Sequence, residues 1–246
     1  MSALALNAAS LKYDNGFTAL NNVTVQFNSG SFTALVGPSG CGKSSLLRLL
    51  AGLEQPFIGS VTGLAQSQIG FVFQEPTLLA WRSVADNITL PLQIEGHSPN
   101  EVALRLGEAL ALVGLTDFAD ALPRQLSGGM KMRVSLARAL AKRPPVLLMD
   151  EPFAALDELT RFRLDDDLRA IWQRQKCTII FVTHSVTEAA YLAERALVMQ
   201  GGEIQEEIAI NQSGRDSSFR GAPAFTAACN ALSVALGHGT GGGGEA

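Results

Sequence analysis

Long apolar runs are missing from this chain. No stretch approaches the roughly 18 residues that a membrane span requires, so any work at a membrane needs another chain to supply the span. Cysteine is scarce: the three present, Cys41, Cys177 and Cys229, show neither metal-ligand nor disulfide spacing, which fits a reduced, cytosolic setting. Positive charge is not in excess, since 19 Lys and Arg stand against 23 Asp and Glu for a net charge of −4. Nucleic-acid binding wants a basic face, and none is expected. One local cluster, Lys131, Arg133, Arg138, Lys142 and Arg143, falls on a single predicted helix and reads there as a solvated face. No basic region precedes the short apolar stretch at the N-terminus, so no signal peptide is expected. Internal repeats are absent. What is there is 246 residues, 47% of them hydrophobic, enough for one large domain or a domain with a subdomain.

The pattern is one of alternation. Residues 4–13 and 22–27 read as strands around the turn Asp14-Asn15-Gly16. Residues 32–36 form a further apolar, β-prone run, and 59–73 hold two short strands with Gln74 directly after them. From 75 to 140 the character turns helical. Ser98-Pro99-Asn100-Glu101 opens one helix with a capping box, and another runs over 129–142 until Pro144-Pro145. Beyond it come a buried strand (146–149), a helix (158–175), a strand (177–183), a helix (186–193), a strand (196–199) and a hairpin into 203–208. Such alternation predicts an α/β fold, a mostly parallel sheet with helices on both faces, carrying antiparallel strands at its N-terminus and a helical insertion over about 75–143. The single domain is expected to span 1–210. The tail, 211–246, reads as a loop, a small-residue helix over 224–236, and a glycine-rich disordered end.

Three constellations carry chemistry. Gly37-Pro38-Ser39-Gly40-Cys41-Gly42-Lys43-Ser44 has the form G-x-x-x-x-G-K-[ST] between a strand and a helix that begins at Ser45. The glycines let backbone N–H groups turn inward, and the helix adds its positive end, so the stretch reads as a phosphate cradle. Lys43 can reach β- and γ-phosphates, and the Ser44 hydroxyl suits Mg²⁺. Cys41, beside that helix start and two positions from Lys43, is expected to be the reactive thiol of the three. The second constellation is Val146-Leu147-Leu148-Met149-Asp150-Glu151, a buried strand that ends in two carboxylates where open α/β sheets bind ligands. Asp150 is suited to hold Mg²⁺ through water, and Glu151 to polarise the water that attacks the γ-phosphate. The third is Leu126-Ser127-Gly128-Gly129, which opens a helix either as a simple cap or as a second anion site for the nucleotide of another subunit.

The glycine loop, Gln74, Leu126-Ser127-Gly128-Gly129, Asp150-Glu151, Ala155-Leu156-Asp157 and His184 come in the order found in ATP-binding-cassette (ABC) ATPases, and the chain resembles that family from about residue 5 to 208. The resemblance implies two copies sandwiching two ATP molecules, with Ser127, Gly128 and Gly129 of one facing the phosphate loop of the other. It also implies that Tyr13 stacks on adenine, Gln74 reaches Mg²⁺ and the attacking water, Asp157 crosses the dimer interface, and His184 contacts the γ-phosphate. Two positions depart from the family pattern: Met130 stands where glutamine is usual, and Ser185 follows the histidine where aspartate is common. Met130 and the stretch 74–82 resemble the nitrate, sulfonate and taurine importer group. The implied function is the ATP-hydrolysing subunit of an importer on the cytosolic face of the cell membrane. It would dock under membrane-spanning permease subunits through a segment holding Leu78, Leu79 and Trp81, fed by an extracytoplasmic solute-binding protein. A soluble ABC ATPase uncoupled from transport is the alternative.

Overall fold

The computed structural model describes residues 2–154, 156–210 and 217–238. Its elements run β1 (Ser2–Lys12), β2 (Thr18–Asn28), β3 (Phe32–Val36), α1 (Lys43–Leu50), β4 (Ile58–Gly63), β5 (Ile69–Val72), α2 (Val84–Ile94), α3 (Pro99–Leu112), α4 (Gly128–Leu140), β6 (Val146–Asp150), α5 (Glu158–Gln175), β7 (Thr178–Val182), α6 (Val186–Leu192), β8 (Arg195–Gln200), β9 (Glu203–Ala209) and α7 (Pro223–His238). The proposed glycine-rich end and residues 211–216 of the tail lie outside the described residues. By its internal contacts the chain divides into two units, Met1–Ser67 with Thr178–Ala246, and Gln68–Cys177.

In the first unit, β1 pairs antiparallel with both β2 and β4. A second sheet places β3 between β7 and β8, all parallel, with β9 antiparallel at the rim. Every residue of β3 and β7 is buried, as expected of parallel strands covered on both faces. Phe32 and Phe181 meet edge-on across that pair, ring centroids 6.3 Å apart. The tail returns to this unit: Phe219 is 3% exposed and packs beside Tyr191 of α6, whose ring face also carries the Arg220 guanidinium at 3.6 Å. The helix expected over 224–236 is therefore α7, longer by a residue or two at each end.

In the second unit β5 and β6 pair in parallel. α2, α3 and α4 close on a core built from Val84, Ile88 and Leu92 of α2, Leu110 of α3 and Val134 and Ala137 of α4. α2 has no counterpart among the helices named from the sequence. Pro91 lies inside it, and the polar Asn87 and Thr89 are buried on it, so its apolar periodicity is interrupted. Asn87 is fully buried. Its amide nitrogen donates to the carbonyls of Leu79, Arg82 and Ser83, and its oxygen accepts from the Leu79 N–H at 2.7 Å. That one side chain ties down the irregular segment before α2. Among the described residues no helix is long and apolar enough to cross a membrane.

Candidate active site

Among the described residues five helices begin alike. Ser83, Ser98, Ser127, Asp157 and Ser185 each place a side-chain oxygen on the third N–H of α2, α3, α4, α5 and α6 respectively. α1 does not. It opens on Gly42, with no side-chain cap and no acidic residue in its first turn. No side chain of its own cap competes for the positive end of its dipole, a setting that suits an anion. Gly42 has φ 104, and a Cβ there would lie 2.4 Å from the Ala19 carbonyl, so only glycine allows the loop to enter the helix this closely. Pro38, Ser39 and Gly40 form the exposed rim of the loop. Lys43 is 4% exposed, and its ammonium donates to the carbonyls of Gly37 (2.9 Å) and Pro38 (2.8 Å). A phosphate oxygen entering the loop meets a cation already folded over it. Ser44 and Ser45, half-buried, follow in the first turn.

Tyr13 ends the β1 side of the β1–β2 turn, and its hydroxyl lies 3.0 Å from the Ser45 Oγ. This bond ties an aromatic ring to the helix that receives the phosphate. His184 is exposed in the loop between β7 and α6. The loop is pinned on both sides of it: Thr183 N–H donates to Leu35 O of β3, and Thr183 Oγ1 donates to Glu188 Oε2 at 2.5 Å and accepts from the Ser185 N–H. Ser185 Oγ in turn accepts from the Glu188 N–H. Aspartate would cap α6 equally well, which gives the serine at this position a physical reason.

The second unit carries the other half of the candidate residues. Val72 of β5 is in register with Met149 of β6, so Gln74 and Glu151 stand equally far past that pair, at the carboxyl edge of two parallel strands. Asp150 and Glu151 are half-buried and Gln74 is exposed. Glu151 has φ 46, a left-handed backbone that costs a non-glycine residue about 1–3 kcal/mol and that clusters at functional sites. Ser127 caps α4 by accepting from the Met130 N–H at 3.2 Å. Met130 itself packs against the core of α2, α3 and α4, so this departure from the family pattern fills apolar space. Gly129 lies against α5: a Cβ on it would sit 2.7 Å from Thr160 Cγ2. Thr160 also donates its N–H to Asp157 Oδ1 (3.0 Å), and its hydrogen bonds hold the Asp157 carboxyl below the usual range. Ser127-Gly128-Gly129, the signature stretch of α4, and Asp157 are thus neighbours within one unit.

The basic cluster does not form one solvated helical face: α4 ends at Leu140, before Lys142 and Arg143, and of the five residues Arg143 alone is exposed. Arg133 pairs with Asp167 at 2.8 Å, Lys142 with Glu95, and Arg143 with Glu108. Arg138 is half-buried and donates to the Pro76 and Thr77 carbonyls and to Thr77 Oγ1, all within 3.0 Å. Burial pushes its guanidinium down from the usual value. These partners lie far away in sequence, so no local periodicity could have announced them.

A family model described as "ABC transporter" matches residues 20–154. The aliphatic sulfonates import ATP-binding protein of Pseudomonas savastanoi pv. phaseolicola is 46% identical over 206 residues, 82% of this chain and 84% of that one. The chain belongs to the ABC transporter family. This ABC ATPase is also 43% identical to the nitrate import ATP-binding protein of Synechocystis sp. over 222 residues, 87% of this chain and 83% of that protein. Its α/β phosphate-loop fold matches the ATP-binding cassette MJ0796, solved as a dimer bound to ADP and Pi, with a TM-score of 0.76 and 32% identity over 85% of this chain and 99% of that one. ATP is its substrate, and ATP hydrolysis its reaction.

The three thiols of the ATPase differ in setting. Burial pushes Cys177 up to about 11 and raises Cys229 as well. The Cys41 sulfur lies 3.7 Å from the Lys43 ammonium, as its place in the sequence implies, but the residue is only 5% exposed. So little exposure should make labelling slow. Maleimide is expected to inactivate the enzyme slowly through Cys41 and to be held off by ATP. Adducts mapped by mass spectrometry to Cys229, at a rate indifferent to ATP, would count against this.

Proposed function

We propose that this ATPase powers import of a small solute through a membrane ABC transporter. It would act from the cytoplasmic face of the cell membrane as a peripheral subunit. A pair of copies would dock beneath integral permease subunits, with a solute-binding protein acting on the far side. The observation that carries the reading is the 43–46% identity to nitrate and aliphatic sulfonate import ATP-binding proteins over more than four-fifths of the chain. The same names favour a small oxyanion or sulfonate as solute. The working domain is 1–210 with the helical stretch 75–143 inserted and the tail 211–246 appended.

In this reading Gly37, Pro38, Ser39, Gly40, Cys41, Gly42, Lys43, Ser44 and Ser45 bind the ATP phosphates, and Tyr13 stacks on the adenine. Glu151 takes a proton from the attacking water, His184 steadies the γ-phosphate, and Gln74 orients the water. Ser127, Gly128 and Gly129 serve the ATP of the second copy, and Asp157 meets that copy across the interface. Ser44, Gln74 and Asp150 offer only oxygen donors, a set that fits the hard cation Mg²⁺. Bound there, Mg²⁺ would neutralise charge on the β- and γ-phosphates.

Trp81 is 76% exposed, on the segment that follows Gln74. A tryptophan so placed fits partner contact, where buried aromatic anchors carry about 2 kcal/mol or more. Trp81→Ala is expected to spare ATPase activity of the isolated subunit and to weaken recovery of the membrane complex. Copurification from membranes, read for both the parent and the variant, tests it. If the parent brings down no integral membrane protein, the importer reading fails. If Trp81→Ala loses folding and assembly together, the loss belongs to the fold and the partner contact at Trp81 fails.

A further inference from the structure

Thr77 has φ 46. A β-branched residue in the left-handed region is an outlier that its surroundings must hold in place. It follows Gln74 by three positions, in a segment without regular secondary structure. What holds it is Arg138 on α4. One guanidinium nitrogen donates to Thr77 O at 2.9 Å; the other donates to Pro76 O at 3.0 Å and to Thr77 Oγ1 at 2.9 Å. The second nitrogen also lies 3.5 Å from Ser135 Oγ, one helical turn earlier on α4. Three acceptors on two adjacent residues suit the planar fork of arginine and not the point charge of lysine. The next part of the segment has a separate anchor, Asn87 of α2, on Leu79, Arg82 and Ser83.

We infer that Arg138 is a positioning residue for hydrolysis: it fixes residues 76–77, and through them Gln74, to the helix that Ser127, Gly128 and Gly129 open. The inference rests on the proposed action of Gln74 at the nucleotide. α4 then carries two parts of the machinery, its own N-terminal signature and, ten residues along, the tether of the glutamine segment. A displacement of α4 moves both, and slack in the tether lets the glutamine drift while the signature stays. A misplacement of about 1 Å in a reacting arrangement can cost about 10²-fold in rate.

The test uses the full chain with a nitroxide side chain introduced at the exposed position 75 as a non-natural amino acid. In the parent the spectrum should show an immobilised label. Arg138→Met should sharpen it and lower kcat by about 10- to 100-fold, with the KM for ATP within about twofold, because the phosphate loop is untouched. Thr77→Asn added to Arg138→Met should restore both readings in large part, since asparagine tolerates the left-handed backbone without a clamp. A role in which Arg138 merely fills space predicts no rescue from position 77. Should Arg138→Met fail to fold, Arg138→Lys carries the same comparison. An unchanged spectrum in the variant, or no recovery in the double variant, overturns the inference. A mobile label with full kcat overturns it too, and Gln74→Ala assigns the fault. If that variant is inactive, only the tether fails; if it is fully active, the proposed role of Gln74 fails as well.

Discussion

Replacing Glu151 by glutamine should leave ATP binding intact and cut turnover by about 10²–10⁴-fold, the usual cost of losing a general base. The amide keeps the size of the carboxylate but cannot take a proton from water. Two structural facts sharpen the expectation. Glu151 stands at the carboxyl edge of the β5–β6 pair, and its backbone is held at φ 46. Glutamine demands no different backbone, so the variant should fold with a melting temperature close to that of the parent. Nucleotide that is bound but not hydrolysed should hold two copies together, which size measurement with and without ATP will show. A Glu151→Gln protein that hydrolyses ATP at the parent rate would remove this residue from the reaction.

The second large effect is expected of Ser127→Arg. In the proposed sandwich the side chain at 127 faces a phosphate bound by the other copy, and a long arginine there should block closure. Loss of even one donor aimed at transition-state charge costs about 10²–10³-fold. Because the serine hydroxyl also caps α4 through the Met130 N–H, the substitution carries a stability cost of about 0.5–2 kcal/mol. Ser127→Ala isolates that cost: it should lower the melting temperature by a few degrees, roughly 2–4 °C per kcal/mol for a chain near this size. Binding of ATP to the monomer should survive in both variants. If it collapses in Ser127→Arg, the stretch serves the nucleotide of its own chain and the sandwich reading is wrong.

Both residues were visible in the sequence because their motifs are local. The phosphate loop, the Asp150-Glu151 strand end and the Ser127 cap each depend on neighbours within a few residues, where glycine freedom, strand burial and capping leave a readable trace. The order of strands and helices was legible for the same reason, and α5 forms over Glu158–Gln175, the range its pattern predicts. What stayed hidden depends on partners distant in the chain. Arg138 and Thr77 are 61 residues apart, and an arginine in a basic helix looks like surface until its acceptors are known. α2 stayed hidden because Asn87 is buried for the sake of four hydrogen bonds and Pro91 interrupts the stripe. The capping equivalence at Ser185 needed the Glu188 contact to become apparent.

The Asn87 anchor has one more consequence, for the thermodynamics of association. A loop that carries an exposed tryptophan would ordinarily have to freeze when a partner closes over it, and ordering a flexible side chain or loop costs about 0.5–1.5 kcal/mol per immobilised group. Here the carbonyls at 79, 82 and 83 and the amide at 79 are already bonded to a side chain that water cannot reach. The main chain on both sides of Trp81 has therefore lost much of its freedom on folding, before any encounter. A partner that covers the indole collects its burial with little further ordering of the segment, so contact should be fast to form and depend mainly on the fit of one ring.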